Sequence, residues 1–295
     1  MTSIVIPAHN EGRVIGRLLD ALLADPADGE PVGSDIVVVC NGCTDDTADV
    51  AAARGPRVRV VEIPTPSKHT ALRVGDEHAY GFPRLYVDAD VILGAAGVRA
   101  LVAALDGTPE LLAAAPGRDI PLTGCAWPVR AYYRVWQRLP AVREGLFGRG
   151  VIAVTEAGHA RIAALPPLMA DDLAASLAFG PDERTVVEAA RVVVRPPRTW
   201  SDLVKRKIRA ATSSAELEHV QASRTDRTSQ PAPSARTGTA DLRAVLRAEP
   251  RLLPGVVVFV VAALAARRGS RKAIRDGDFS TWLRDESSRQ DVGSA

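Results

Sequence analysis

Two aspartates separated by one residue are the feature of this sequence that most directly suggests chemistry. Asp88 and Asp90 follow the apolar run Leu85–Val87, so both carboxylates can point the same way from the end of a strand. Carboxylate oxygens suit Mg²⁺ or Mn²⁺, which proteins usually hold between one or two carboxylates and the phosphates of a substrate. With the N-terminal run Ile4–Glu11 as context, the pair predicts an enzyme that grips a nucleoside diphosphate through a metal.

A second acidic pair, Asp171-Asp172, opens a segment with a helical pattern. Such acids can simply complement the dipole at a helix N-terminus. They can also supply a general base, because crowding two carboxylates in a cleft raises the pKa of one of them. A metal site that holds a leaving nucleotide still needs a base to activate an acceptor hydroxyl, and this pair is the best candidate.

Two further features carry alternatives. Lys68 follows a proline-containing turn at the start of a predicted helix, where it either reaches a phosphate or is a solvated lysine. Cys40-Asn41-Gly42-Cys43 has redox or zinc spacing, but Cys125 is alone and no paired histidine accompanies it. We therefore interpret this segment as a tight Asn-Gly turn. Gly-rich fingerprints of nucleotide hydrolases and NAD enzymes are absent from the sequence.

Composition sets the broad class. The chain has 295 residues, 46% of them hydrophobic and 24% charged, as expected of a globular protein. Its net charge of +2 gives no argument for nucleic-acid binding, although Arg191–Arg209 is locally basic and suits phosphate or an anionic membrane. Three cysteines are too few for a disulfide scaffold, and no signal peptide opens the chain. We infer a reducing, cytoplasmic setting.

The first half alternates strand and helix patterns. Apolar runs predict four strands separated by helical segments: 3–6, 35–40, 58–63 and 84–87. This rhythm predicts an α/β fold with a mostly parallel sheet flanked by helices, whose ligands bind beyond the carboxyl ends of the strands. Asn10, Asn41 and Asp88 fall at or just after strand ends, so they can share one crevice. Thr44 is predicted to cap the helix that follows the second strand.

The second half is less regular. The stretch Ser223–Thr239 is rich in Ser, Thr, Pro, Gly and Arg and is predicted to be a flexible linker. Beyond it, Leu252–Ala266 is almost wholly apolar and is followed by Arg267 and Arg268. Three alternatives stand for this segment: a buried helix docked on the domain, a shallow membrane association with a basic flank, or a true span, for which it is short.

Several motifs occur in a recognisable order. They are Ile6–Glu11, Val37–Thr47, Ser67–Leu72, Val87–Asp90 and Ala170–Leu173. In this order the sequence resembles family 2 glycosyltransferases over roughly its first 215 residues. The resemblance implies a GT-A fold, with a Rossmann-like, mixed and mostly parallel sheet. It also implies an inverting transfer from a nucleotide-diphosphate sugar with Mg²⁺ or Mn²⁺.

By the same resemblance, residue roles carry over to matching positions. Asp90 would ligate the metal and Asp88 would contact the metal or the ribose. Asp172 matches the catalytic base. Asp171, assigned to substrate binding, is in the place of the Glu of the family's Glu-Asp motif. The remaining substrate-binding assignments are to the nucleotide pocket or to the diphosphate: Pro7, Ala8, Glu11, Asn41, Lys68 and Arg198.

The sequence departs from the family pattern in two ways. Cys40 and Asn41 stand where a pair of aspartates often reads the base, so Asn41 would do so through its amide. The Gln-x-x-Arg-Trp signature of processive members is absent, which predicts a single addition. Three segments are expected: a GT-A domain over residues 1–222, a linker over 223–240, and a C-terminal helical appendage over 241–295 with possible peripheral membrane contact.

Two kinds of acceptor fit the sequence, a lipid-linked acceptor and a glycan. Two other functions are alternatives. One is a nucleotidyltransferase that forms sugar nucleotides, although the Gly-rich basic N-terminal loop usual for it is missing. The other is a non-catalytic nucleotide-binding scaffold at a membrane, against which the set Asp88, Asp90 and Asp172 argues.

Overall fold

The structure is a computed structural model that describes residues 1–24, 34–165, 171–224 and 237–275. The chain divides into two compact units, and each is assembled from separate stretches of sequence. The first unit comprises Met1–Ile120, Leu146–Pro167 and Ala178–Arg195, and the second comprises Pro121–Gly145, Leu168–Leu177 and Pro196–Ala295.

The first unit is built on one sheet. Its strands, within the described residues, are β1 (Thr2–Ala8), β2 (Ser34–Asn41), β3 (Val58–Ile63), β4 (Arg84–Val87), β5 (Ile92–Leu93), β6 (Ala113–Asp119), β7 (Val151–Val154) and β8 (Arg184–Val193). Their order across the sheet is β3-β2-β1-β4-β7-β6-β8-β5. Strands β5 and β7 run opposite to the others, so the sheet is mixed and mostly parallel.

The sheet order reverses at β1. Strands β2 and β3 lie on one side of β1, whereas β4 pairs with its other side, Val5 opposite Tyr86. In open α/β sheets, the crevice beyond the carboxyl ends of the strands at such a reversal is where ligands bind. The segments after β1 and β4, which contain Asn10 and Asp88, therefore flank the switch point.

Helices cover the sheet in the first unit. They are α1 (Gly12–Leu23), α2 (Thr47–Ala52), α3 (Lys68–His78), α4 (Ala95–Asp106) and α7 (Glu156–Ala163). Helix α1 buries Ile15, Leu18 and Leu22, a one-sided apolar stripe with helical spacing. These side chains join Ile4 and Ile36 of the strands in the main core. Burial of this stripe holds α1 against the sheet.

The second unit is helical in its described part. Its helices are α5 (Trp127–Trp136), α6 (Pro140–Glu144), α8 (Asp171–Leu177), α9 (Trp200–Arg224), α10 (Thr239–Ala248) and α11 (Leu253–Arg275). Helix α11 packs on both α9 and α5. Its Phe259 ring stacks on Tyr132 of α5, with ring centroids 5.1 Å apart.

The predicted fold class is confirmed, and the four N-terminal strands lie where the apolar runs placed them. Two details differ. Helix α2 begins at Thr47 rather than behind a Thr44 cap, because the side chain of Asp45 accepts from the Thr47 amide. Helices α9 and α10 extend into the two ends of the predicted linker, and its residues 225–236 lie outside the described ranges. The C-terminal apolar segment lies in helix α11, which packs on α5 and α9 by one face, so the first of the three alternatives describes that face.

Candidate active site

The turns that follow β1 and β2 are tied together. Asn10 has φ of 53°, a left-handed conformation that asparagine tolerates. Its side-chain oxygen accepts a hydrogen bond from the Thr44 amide at 2.8 Å. The Glu11 amide donates to the Thr47 hydroxyl, also at 2.8 Å. These bonds join residues more than thirty positions apart, so the two turns form one braced edge.

Asn41 belongs to the same brace. Its side-chain nitrogen donates to the Ala8 carbonyl at 2.7 Å, and its own carbonyl lies 2.6 Å from His9 Nδ1. Asn41 is 3% exposed, and Pro7 and Ala8 are buried as well. The amide nitrogen of Asn41 is thus committed to the fold. The role of Asn41 in reading a base stays a prediction, and it would depend on the side-chain oxygen.

The predicted cysteine turn is present. Gly42 has φ of 58° and its amide donates to the Ile63 carbonyl at 2.7 Å. Cys40 and Cys43 are free thiols. Burial, with the neighbouring Cys43 as a further cause, raises the pKa of Cys40 to about 12. A buried thiol with a raised pKa is a poor nucleophile, which agrees with the interpretation as a turn.

Asp88 and Asp90 emerge together beyond β4. Their neighbours Ala89 and Val91 are buried at 4% exposure each, whereas Asp90 is exposed and Asp88 partly so. Lys68 Nζ lies 2.8 Å from Asp88 Oδ1. The structure therefore brings together two residues that the sequence placed twenty positions apart in separate motifs.

Lys68 is presented by the first turn of α3. The Ser67 side chain caps this helix by accepting from the Thr70 amide at 3.2 Å. The exposed amides and dipole of a helix N-terminus favour anions such as phosphate. A lysine at this position adds a full positive charge beside Asp88.

The far side of Asp88 is closed by a glycine. The Asp88 amide donates to the Gly150 carbonyl at 2.7 Å. Gly150 has φ of 66°, and a Cβ there would lie 3.2 Å from Asp88 Oδ2 and 2.5 Å from Val91 Cγ1. Only glycine fits both the backbone conformation and this close approach. Sequence reasoning did not single out Gly150, because its contact joins residues about sixty positions apart in the chain.

Arg149 lies between Gly148 and Gly150 and holds this loop to β6. It is 3% exposed, and its guanidinium donates to the Pro116 carbonyl at 2.8 Å. Burial lowers the pKa of Arg149 to about 10, so the side chain remains cationic at neutral pH. The bond holds the Gly148–Gly150 loop to β6, and with it the carbonyl that receives the Asp88 amide.

The donor set fits a divalent cation of the kind predicted. Within the described ranges, no three His, Cys, Asp or Glu side chains converge on one possible metal position. Asp88 and Asp90 offer two carboxylates. Mg²⁺ and Mn²⁺ are typically bound by this number of protein ligands and complete their coordination shell with water and substrate phosphates. These two residues do not by themselves form a complete coordination shell for a metal.

The other predicted site residues belong to the second unit. Asp172 is exposed in the first turn of α8, and its Oδ1 accepts from the Leu173 amide at 2.7 Å. The side chain of Asp171 lies outside the described part. Arg198 is half-buried just before α9, and its carbonyl accepts from the Ala126 amide at 2.8 Å. Thr199 caps α9 by accepting from the Asp202 amide.

A mixed, mostly parallel sheet flanked by helices, with paired carboxylates beyond β4, defines an α/β protein. The match to a family is specific: the model described as "Glycosyl transferase family 2" covers residues 3–159. The chain belongs to glycosyltransferase family 2.

Relatives and solved structures agree with this assignment. Uncharacterized glycosyltransferases of Mycobacterium tuberculosis and Mycobacterium bovis are each 36% identical over 126 residues, 43% of this chain and 52% of theirs. The chain thus spans about half the length of the curated relatives it matches.

Two solved structures share the fold. A mannosyltransferase of Pyrobaculum calidifontis, in complex with GDP-Man and Mn²⁺, has a TM-score of 0.58 and 20% identity over 94% of this chain and 79% of its own. Glucosyl-3-phosphoglycerate synthase of Mycobacterium tuberculosis, in complex with Mn²⁺, UDP-Glc and phosphoglyceric acid, has a TM-score of 0.55 and 21% identity over 77% and 81%. At these identities the similarity shows the fold alone, and the GT-A expectation is confirmed.

Proposed function

We propose that this protein transfers one sugar from a nucleotide-diphosphate sugar to an acceptor hydroxyl, with inversion at the anomeric carbon. The observation that carries the proposal is the Lys68–Asp88 contact of 2.8 Å beyond β4, beside the reversal of strand order. A cation and a carboxylate at one point suit a diphosphate bound together with a divalent metal. The solved relatives that bind GDP-Man or UDP-Glc with Mn²⁺ support this choice of donor.

The residues divide the chemistry between them. Asp88 and Asp90 would hold Mg²⁺ or Mn²⁺, which when bound would stabilise charge on the departing diphosphate. Lys68 would add a positive charge to a phosphate oxygen, and Arg198 is proposed to do the same. Pro7, Ala8, Glu11 and Asn41 would line the nucleotide, the first two through their backbone because their side chains are buried.

Asp172 is proposed as the base. It would take the proton of the acceptor hydroxyl as that oxygen bonds to the anomeric carbon. The bond from this carbon to the diphosphate breaks in the same displacement, and the electron pair leaves with the diphosphate. A single in-line displacement inverts the configuration.

The setting proposed for this reaction is cytoplasmic. The free thiols Cys40, Cys43 and Cys125 support a reducing compartment. We propose one addition per acceptor, because the processive signature is absent from the sequence. The acceptor is proposed only as a hydroxyl compound, either lipid-linked or a glycan.

A thermal-shift screen against nucleotide sugars, with and without Mn²⁺, tests the proposal. Ligand binding stabilises the native protein by mass action. We expect one nucleotide-sugar class to raise Tm only with Mn²⁺, and Asp90→Asn to abolish the shift. Asp106→Asn, an exposed aspartate at the end of α4, is the matched control and should keep it.

The base assignment has its own readout. Asp172→Asn should retain the metal-dependent shift and lose release of nucleoside diphosphate, while wild type shows both. A scaffold that only binds nucleotide would give the shift and no release in wild type. Pyrophosphate release from a nucleoside triphosphate would instead indicate nucleotidyl transfer.

A further inference from the structure

Helix α11 is fixed to its own unit by one face. Phe259 is 7% exposed and stacks on Tyr132. A Cβ at Gly255 would lie 3.0 Å from the Ala131 carbonyl, so α11 approaches the α5 backbone closely there. The buried side chains of α11 recur at helical spacing, at positions 256, 259, 262, 266 and 270. This face is part of the folded core of the second unit.

The opposite face of α11 is apolar and exposed. Leu253, Val257, Val260, Val261 and Leu264 are 56, 55, 38, 49 and 50% exposed. Their spacing aligns them on one side over about 16 Å of helix. Single exposed apolar side chains are ordinary, but a contiguous apolar patch of this kind marks an interaction surface.

The same side of the helix then becomes cationic. Arg267, Arg268, Arg271 and Lys272 continue its spacing and are exposed. No Asp or Glu occurs between Pro250 and Arg275. The stripe therefore has apolar turns followed by basic turns, with no carboxylate that could pair with a basic partner. Trp127, 55% exposed on the neighbouring helix α5, is a residue type that favours membrane interfaces.

We propose that this stripe, the outer face of α11, docks in the plane of a bilayer surface that contains anionic lipids. The apolar side chains would enter the boundary between headgroups and acyl chains, and the basic turns would contact lipid phosphates. A second copy of the chain is the weaker fit, because the stripe offers no carboxylates to the other copy's basic turns.

The helix lies in the plane rather than across the bilayer. By length and apolar composition, Pro250–Lys272 is the one described helix that could cross a membrane. Crossing would strip Phe259 and Ala262 from their partners and uncover Tyr132, 2% exposed, in the second unit. Docking through the outer face leaves those contacts intact.

Vesicle co-sedimentation of the full chain tests the proposal. The vesicles are phosphatidylcholine alone, or equal parts phosphatidylcholine and phosphatidylglycerol. We expect wild type to bind the anionic vesicles, and V257Q/V261Q/L264Q to reduce binding about tenfold or more, since each buried methylene strengthens membrane binding. Tyr80→Gln, an exposed aromatic of the first unit at 73%, is the matched control and should bind as wild type.

The basic turns are tested by R267Q/R268Q. Binding to anionic vesicles should fall about fivefold per charge removed, and added salt should weaken wild type in the same way. R73Q/R99Q removes two exposed charges from α3 and α4 of the first unit and should have no effect. Equal binding by wild type and both stripe variants would overturn the proposal, as would no binding by wild type.

Depth measurements separate docking from crossing. Environment-sensitive probes on cysteines placed at Leu253, Val257 and Leu264 should report one shallow depth. Depth that increases along the helix would indicate a span and overturn the in-plane proposal. A wild-type dimer that ignores vesicles, and that V257Q/V261Q/L264Q makes monomeric, would assign the face to a second copy instead. Both stripe variants should keep the donor-induced thermal shift, so this proposal and sugar transfer can fail separately.

Discussion

At the scale of single residues, Lys68 has two opposing effects. It neutralises Asp88, and each side chain is about one-third exposed, at 32 and 38%. A pair so exposed is worth about 0–1 kcal/mol. A charged hydrogen bond from the same lysine to a donor phosphate is worth about 1.5–3 kcal/mol. The second effect is larger, so Lys68 should assist binding of the donor more than it competes for Asp88.

Lys68→Met should therefore weaken binding of the nucleoside diphosphate about tenfold in the presence of Mn²⁺, which corresponds to about 1.4 kcal/mol. Calorimetric titration measures it directly. Arg73→Met is the control, because Arg73 lies on the same helix, is 70% exposed and is 3.9 Å from Glu77. Unchanged or tighter binding by Lys68→Met would mean that the lysine only neutralises Asp88.

At the scale of elements, the loop before β7 sets the position of the Asp-x-Asp segment. Gly150 gives its carbonyl to the Asp88 amide and leaves no room for a side chain against Val91. Arg149 holds the same loop to Pro116 of β6. The carboxylates after β4 are thus positioned by residues about sixty positions later in the chain.

Gly150→Ala should lower the free energy of unfolding for two reasons. The positive φ of 66° costs about 1–2 kcal/mol with any Cβ, and the clash with Val91 adds about 1–3 kcal/mol. Gly55→Ala is the matched control: its φ is 88°, and nothing lies within 4 Å of the added Cβ. Urea unfolding should show the larger loss for Gly150→Ala, together with loss of the donor-induced thermal shift. Equal losses of unfolding free energy in the two variants would show that the clash of the added Cβ with Asp88 and Val91 does not destabilise the protein.

The sequence predicted the elements that depend on local pattern. Apolar runs located β1 to β4, and their order implied that Asn10, Asn41 and Asp88 share one edge. The braces across that edge were not predictable, because the Asn10–Thr44 and Asp88–Gly150 bonds join distant residues. Nor could the docked face of α11 be predicted, since Leu252–Ala266 is apolar on both sides and has no period that distinguishes them.

At the scale of the whole molecule, the proposed machinery is divided between the two units. Asp88, Asp90 and Lys68 belong to the first, whereas Asp172 and Arg198 belong to the second. The C-terminal helix α11 is part of the second unit rather than a separable tail, since it packs on α5 and α9. Cutting the chain after the predicted domain boundary at residue 222 would remove that packing and uncover Tyr132. An experiment on the truncated chain would therefore not separate the loss of a membrane contact from the loss of stability.

A single buried side chain measures how firmly α11 belongs to the fold. Phe259→Ala should lower the free energy of unfolding by about 3–5 kcal/mol, because it removes a buried ring stacked on Tyr132 and leaves a cavity. Val260→Ala, next along the helix but 38% exposed, should change it by less than about 0.5 kcal/mol. Urea denaturation of the full chain, without lipid, measures both. Similar small losses would mean that α11 does not dock in solution, which would remove the reason for placing its outer face, rather than the whole helix, against a bilayer.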